Sequence, residues 1–171
     1  MQPKLLSLSA LALISACVFT SSAHALTVQN CSGTLTADVN MVSITTGGVQ
    51  QLSLSVPLAE SDWQWQVIGS FGTDQPASWF GYAGLRLNTD RYLWRMYDSH
   101  AGFVQGVTSG FLGGPLVPVD AQGHANFQVV IPPGLPSTFI GRTLHHGVYH
   151  TDTLSLLPSC GSGTVPLLLV P

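Results

Sequence analysis

Charged side chains are scarce in this chain of 171 residues, since only 8% are Asp, Glu, Lys or Arg. Its one lysine, Lys4, lies near the N-terminus, and the rest of the chain carries four arginines against eight carboxylates. A surface with few cations and a net negative charge repels phosphate backbones. The composition therefore argues against binding to nucleic acid.

Long apolar runs are missing after the N-terminus, where the first such run indicates an export signal. Residues 5–19 are mostly apolar but too few to span a bilayer comfortably, and Ala23-His24-Ala25 matches the small-x-small cleavage pattern. We therefore predict a signal peptide over residues 1–25, a secreted, periplasmic or cell-surface location, and no transmembrane segment. A lipoprotein signal at Cys17 is the alternative, because the four residues ending there resemble a lipobox.

Cysteine is also scarce, with three in the chain. Removal of the signal peptide leaves Cys31 and Cys160, near the two ends of the mature chain, in a compartment that permits disulfides. We predict a disulfide between them. In the chain-entropy model a bridge that closes a loop of about 130 residues contributes roughly 4–5 kcal/mol. Two buried, unpaired thiols are the alternative.

Apolar and polar residues alternate with a period of two through most of the chain, and no stretch after the signal shows a sustained helical stripe. The pattern predicts an all-β fold for residues 26–171: a single antiparallel β-sandwich of about eight strands, with a barrel as the alternative. The Gly-rich stretch 103–118 has no clear pattern. The alternating segments lie at residues 35–39, 42–44, 51–56, 63–67, 85–87, 91–96, 127–131, 143–148 and 167–169.

Three short motifs predict how strands end. Gly123 suits a turn with positive φ between two strands, and Pro132-Pro133 cannot continue a hydrogen-bonded ladder. Asn88-Thr89-Asp90 resembles an Asx-type turn, in which a side-chain oxygen accepts from backbone N–H groups. All three motifs indicate structural rather than catalytic roles.

The order of several motifs resembles a β-sandwich module of unknown function found in secreted proteins of environmental bacteria. That module reads approximately TGG…LGSxSGT…LPLNxDxY…LDAxGxA…PPxLP…GxTLHHA…LTLVP. The resemblance covers most of residues 42–171 and implies an extracellular module without known catalytic residues. The chain departs from it at Pro158-Ser159-Cys160-Gly161, where the module has a Ser-Asn turn. The matching stretches are Thr46-Gly47-Gly48, residues 67–73, Leu85-Arg86-Leu87-Asn88, residues 119–125, residues 131–136, residues 140–146 and residues 165–171.

Catalytic motifs are missing from the sequence. It contains no G-x-S-x-G elbow, no phosphate-binding glycine loop and no cysteine near a histidine in an active-site pattern. Glu60 and Asp62 precede the Trp63 strand, and acids beside aromatics are common in sugar sites, but a solvated loop is the preferred explanation for them. We therefore predict no catalytic residues and no enzyme activity.

Three histidines lie close together in the sequence at positions 145, 146 and 150. In a strand His145 and His146 point to opposite faces, and His146 and His150 lie about 13 Å apart on one face. One metal ion needs imidazoles that converge at about 2 Å. We therefore predict half-buried or surface histidines, with no metal and no cofactor.

Aromatic residues crowd the middle of the chain and fall into two groups. Trp63, Trp65, Tyr92 and Trp94 take inward positions in the alternating pattern and are predicted to lie in the core. A second group, in a loop between Gly72 and Gly84, is the candidate ligand-binding surface, with a lid over the core as the alternative. Its members are Trp79, Phe80 and Tyr82.

The sequence thus predicts a non-enzymatic secreted or cell-surface module that binds a glycan or a protein partner through aromatic loops. Two other classes stay open at this point. One is a small secreted hydrolase, which would pair His100 or His150 with a serine or an acid in a deep pocket. The other is a structural subunit of a surface assembly, which would expose unpaired edge strands.

Overall fold

The computed structural model describes residues 33–74, 87–98, 103–109, 114–151 and 158–171. Three predicted features lie outside these ranges and stay predictions: the signal peptide, Cys31 and the aromatic group Trp79, Phe80 and Tyr82.

Ten strands form two sheets in the described part of the chain. The four-stranded sheet has the order β1-β3-β8-β5, and the six-stranded sheet has the order β2-β10-β9-β4-β7-β6. The strands are β1 (Thr34–Ala37), β2 (Met41–Ser43), β3 (Gly48–Ser55), β4 (Trp65–Ser70), β5 (Val104–Gln105), β6 (Thr108–Ser109), β7 (Pro115–Val117), β8 (His124–Ile131), β9 (Thr143–Thr151) and β10 (Pro158–Val170).

The all-β prediction is confirmed, and both sheets contribute to one hydrophobic core. On β3, Leu52 and Leu54 are buried while the intervening Ser53 is exposed, as the alternation requires. Leu52 lies opposite Phe127 of β8 in an antiparallel register. Val148 of β9, in the other sheet, belongs to the same core cluster.

Two features of the sheets go beyond the predicted antiparallel arrangement of about eight strands. β2 pairs with β10 in parallel, with Val42 opposite Leu169. The unassigned Gly-rich stretch supplies three short strands, β5, β6 and β7. Strands of two or three residues show too little alternation for a sequence pattern to detect.

The predicted strand at residues 91–96 is wrong, because Arg91–Asp98 forms an α-helix, α1. Asp90 caps it, since its Oδ1 accepts from the backbone N–H of Leu93 at 2.9 Å. Tyr92 and Met96 are buried, as an i, i+4 pair on one helix face should be, whereas Trp94 is 43% exposed. The prediction that Trp94 lies in the core is therefore also wrong.

Of the remaining predicted core aromatics, Trp65 is fully buried and Trp63 is partly buried against the core. The turn motifs behave as predicted. β8 ends at Ile131, immediately before Pro132, and Gly123 has φ +84°. Two short 3₁₀ helices, Leu58–Glu60 and Ser137–Phe139, complete the described elements.

Cys160 lies on β10 and is fully buried and disulfide-bonded. The predicted partner, Cys31, lies outside the described ranges. The pairing of these two cysteines therefore stays a prediction.

Within the described ranges, no helix is long and apolar enough to cross a membrane.

We predict that Gly123→Ala destabilises the fold by about 2–4 kcal/mol. A left-handed backbone costs an L-residue roughly 1–2 kcal/mol, and a Cβ here would also overlap the carbonyl oxygen of Val56. Urea unfolding followed by tryptophan fluorescence measures the change. Gly141→Ala is the matched control, because Gly141 has φ +78° but open space around its Cβ position. Equal losses in the two variants would contradict the steric account.

Candidate functional site

An apolar cleft of about 480 Å³ opens at one end of the two sheets. Its walls come from the end of β8, the start of β9, the end of β10, the 3₁₀ helix at Ser137–Phe139, the segment after β4 and the first turn of α1. Of the ten lining residues in the described part of the chain, nine are apolar or aromatic and the tenth is an arginine. The lining residues are Phe71, Arg91, Tyr92, Phe103, Ile131, Pro132, Leu135, Phe139, Leu144 and Leu169.

Burial divides the lining into an inner and an outer part. Ile131, Leu144 and Leu169 are at most 3% exposed and belong to the core, so they form the inner end. Phe71 lies between two other rings of the wall, with ring centroids 5.3 Å from Tyr92 and 5.8 Å from Phe139. Such contacts between rings hold their planes in place. The cleft is therefore an aromatic-walled space that reaches the core.

A buried chain of hydrogen bonds begins at the cleft and crosses both sheets. The Tyr92 hydroxyl lies 2.7 Å from Nε2 of His146 on β9. Nδ1 of His146 lies 2.8 Å from Oε1 of Gln50 on β3, in the other sheet. Gln50 Nε2 then donates to the carbonyls of Val39, at 2.8 Å, and Pro166, at 3.2 Å. We call Tyr92, His146 and Gln50 the buried triad.

The hydrogen bonds of Gln50 determine which ring nitrogen of His146 carries the proton. Only the NH₂ group of an amide can donate to two carbonyls, so the Gln50 oxygen must face the imidazole. Nδ1 of His146 therefore carries the proton and donates to Gln50. Nε2 is then the acceptor for the Tyr92 hydroxyl. Each polar atom of the triad has a partner, as buried polar groups require.

Burial also fixes the charge of the triad. Desolvation, with a smaller contribution from His145, lowers the pKa of His146 from 6.5 to about 3. Desolvation, with a smaller contribution from Asp90, raises the pKa of Tyr92 far above its usual value. Both side chains are neutral at physiological pH. The triad thus places a neutral phenol at the cleft.

Asp90 positions the two sides of the cleft mouth relative to each other. Its Oδ2 accepts from the Ser70 hydroxyl at 2.8 Å and from the Phe71 N–H at 2.7 Å, while its Oδ1 caps α1. One carboxylate thereby joins the end of β4 to the start of the helix. Gly69 on β4 allows this approach, since a Cβ there would lie only 2.6 Å from a Tyr92 ring carbon.

The residues that follow Phe71 are hydrogen-bonded to Asn88, which precedes α1. The Asn88 N–H donates to the Gly72 carbonyl at 3.0 Å, and Asn88 Nδ2 donates to Asp74 Oδ1 at 2.6 Å. These bonds join the residues after β4 to the residues before α1.

The histidines of the sequence cluster do not converge. His146 is fully buried, so its predicted half-buried or surface location is wrong, whereas His145 is half-buried as predicted. His150 lies against Trp63, with ring centroids 4.4 Å apart. Among the described residues, no three His, Cys, Asp or Glu side chains are placed to hold one metal ion. His100 lies outside the described ranges.

Glu60 does not line the cleft. Its carbonyl accepts from the indole N–H of Trp65 at 3.2 Å, and burial raises the pKa of its carboxyl. Its contact with an aromatic residue is therefore made by the backbone and supports the core. Asp62 is exposed.

No protein family and no curated protein matches the sequence. Among solved structures, the human F-spondin reeler domain is similar with a TM-score of 0.42 and 11% identity, over 83% of this chain and 96% of that chain. BcpA, the major pilin subunit of Bacillus cereus, is similar with a TM-score of 0.38 and 10% identity, over 81% of this chain and 40% of that chain. Likenesses this weak assign neither a family nor a function.

We predict that protonation of His146 destabilises the fold in acid. Because its native pKa lies below its unfolded value of 6.5, the unfolded chain takes up the proton first. The stability due to neutral His146 is complete above about pH 6.5 and is lost towards pH 3, at about 1.4 kcal/mol per pH unit. Urea unfolding at pH 4–7.5 measures the slope.

His146→Gln tests this assignment, because its amide can donate to Gln50 and accept from Tyr92 without titrating. We expect a variant that is less stable at pH 7.5 but whose stability falls less steeply below pH 6.5. His145→Gln is the control and should change the slope less, since His145 is only partly buried. Parallel slopes for the native chain and His146→Gln would refute the prediction.

Proposed function

We propose that this chain is an exported, non-enzymatic β-sandwich module that binds an apolar ligand in the cleft. The observation that carries the proposal is the cleft itself, an aromatic-walled space of about 480 Å³ that reaches the core. Small-molecule sites typically measure roughly 300–1,000 Å³ and have mostly apolar linings with a few polar groups. The cleft has both properties.

The chemistry of the lining supports binding rather than catalysis. The lining residues within the described ranges include no serine, threonine, cysteine, histidine or acid. The one hydroxyl among them, on Tyr92, already donates to His146, and its pKa is raised far above physiological pH. Covalent and acid–base catalysis need a nucleophile or a proton donor with a suitable pKa at the ligand. The described lining provides neither.

We infer export and a surface location from the signal-peptide pattern over residues 1–25. The two cysteines that remain after cleavage, Cys31 and Cys160, are consistent with an oxidising compartment. The order of the sequence motifs, which resembles that of a β-sandwich module of secreted bacterial proteins, agrees with this location. Two sheets that share one core support the sandwich architecture.

The aromatic segment adds a second source of ligand contacts. We propose from the sequence that Trp79, Phe80 and Tyr82, which lie outside the described ranges, supply these contacts to a glycan, a protein partner or the apolar ligand. Aromatic rings supply a large apolar contact area and are enriched in binding surfaces.

We predict that the mature protein binds one equivalent of an uncharged apolar fluorophore, N-phenyl-1-naphthylamine, saturably. Leu135→Trp should weaken this binding at least tenfold, because Leu135 is a half-buried wall residue and an indole there would fill the space. Fluorescence titration measures both affinities, and near-UV circular dichroism checks that the variant is folded.

Leu58→Trp is the matched control, since Leu58 is 67% exposed and lies outside the cleft. It should leave the affinity unchanged. Non-saturable fluorescence, or equal binding by the two tryptophan variants, would overturn the proposal that the cleft is the site.

A further inference from the structure

Arg91 is the one charged residue in the described lining of the cleft. It is the first residue of α1 and is exposed, whereas Ile131, Leu144 and Leu169 at the inner end are buried. The charge therefore lies at the mouth, and the apolar surface lies behind it. A site with this polarity matches an amphiphile better than a uniformly apolar molecule.

The guanidinium of Arg91 has no hydrogen-bond or ion-pair partner within the part of the chain that the structure describes. Its neighbour Asp90 would be the obvious counter-charge, but the Asp90 carboxylate accepts from Ser70, Phe71 and Leu93. These contacts aim the carboxylate towards β4 and the helix N–H groups. Arg91 thus offers its five N–H donors to solvent or to a ligand.

Among the described lining residues, Ile131, Leu144 and Leu169 at the inner end carry no polar side-chain group, and the nearby Tyr92 hydroxyl is already engaged. The Tyr92 hydroxyl donates to His146, whose other nitrogen donates to Gln50, so the polar atoms of the triad are already satisfied. A ligand head placed there would lose its hydration without gaining a partner, which costs free energy. Any head group is therefore favoured at the mouth, beside Arg91.

We propose that the ligand is a monocarboxylate amphiphile, whose carboxylate pairs with Arg91 and whose apolar chain or ring fills the cleft. A planar guanidinium matches a carboxylate with two parallel N–H···O bonds, and none of the described lining residues is acidic. This assignment rests on the proposed binding function of the cleft and adds the chemical class of its ligand.

Three compounds that share a ten-carbon chain and differ in their head groups test the assignment: decanoate, 1-decanol and decyltrimethylammonium. Displacement of N-phenyl-1-naphthylamine from the mature protein at pH 7.5 gives each affinity. We expect decanoate to bind about tenfold more tightly than decanol, and the ammonium compound to bind more weakly than either. Arg91→Gln should bring decanoate to the affinity of decanol and leave decanol within about twofold.

Arg142→Gln removes the same charge from an exposed arginine outside the cleft lining, and it should change none of the three affinities. Arg91→Lys should retain part of the preference for decanoate. Equal affinities of decanoate and decanol for the native chain would overturn the head-group assignment while leaving the cleft as a binding site. An equal loss of affinity for decanoate and for decanol in folded Arg91→Gln would overturn the head-group assignment in the same way. Failure of the uncharged fluorophore to bind would instead overturn the proposed function itself.

Discussion

The hydrogen bonds of the buried triad are the constraint on which the rest of the structure depends. They connect α1 through Tyr92, the six-stranded sheet through His146 and the four-stranded sheet through Gln50, all with at most 8% exposure. A buried polar group without its partner costs about 1–3 kcal/mol, so each member requires the other two in place. The apolar core holds the sheets together without directional preference, whereas this chain of contacts specifies their register and the position of the helix.

The same hydrogen bonds also position part of the wall of the cleft. Tyr92 belongs both to the triad and to the lining, so the hydrogen bond to His146 fixes a wall of the site. The described surface behind Arg91 is apolar because Ile131, Leu144 and Leu169 form it, and the Tyr92 hydroxyl points to His146. At the mouth, the Asp90 carboxylate accepts a hydrogen bond from the Phe71 N–H and caps the helix that carries Arg91. Tyr92 and Asp90 thus give structural support to the cleft, and Arg91 is the one charged residue of its described lining.

The sequence predicts the sheets well and the site poorly. Alternation identifies β3 and β8 because each buries one face on the core, and it identifies the start of β9, whose middle is buried on both faces. It fails at α1, where Tyr92 and Met96 are consistent with both a strand and a helix face, and the cap at Asp90 is the signal that decides. Gln50 and His146 share strand faces with buried leucines, which indicates buried polar residues. Their pairing could not be predicted, since the two residues are 96 positions apart.

The protonation state of His146 tests this account most directly. Long-range proton–nitrogen NMR correlations distinguish the two neutral tautomers and the imidazolium, and the spectrum of His146→Gln identifies which signal belongs to this residue. The account predicts a neutral imidazole at pH 5 with its proton on Nδ1, the nitrogen that faces Gln50. A charged ring at pH 5, or a proton on Nε2 instead, would contradict it.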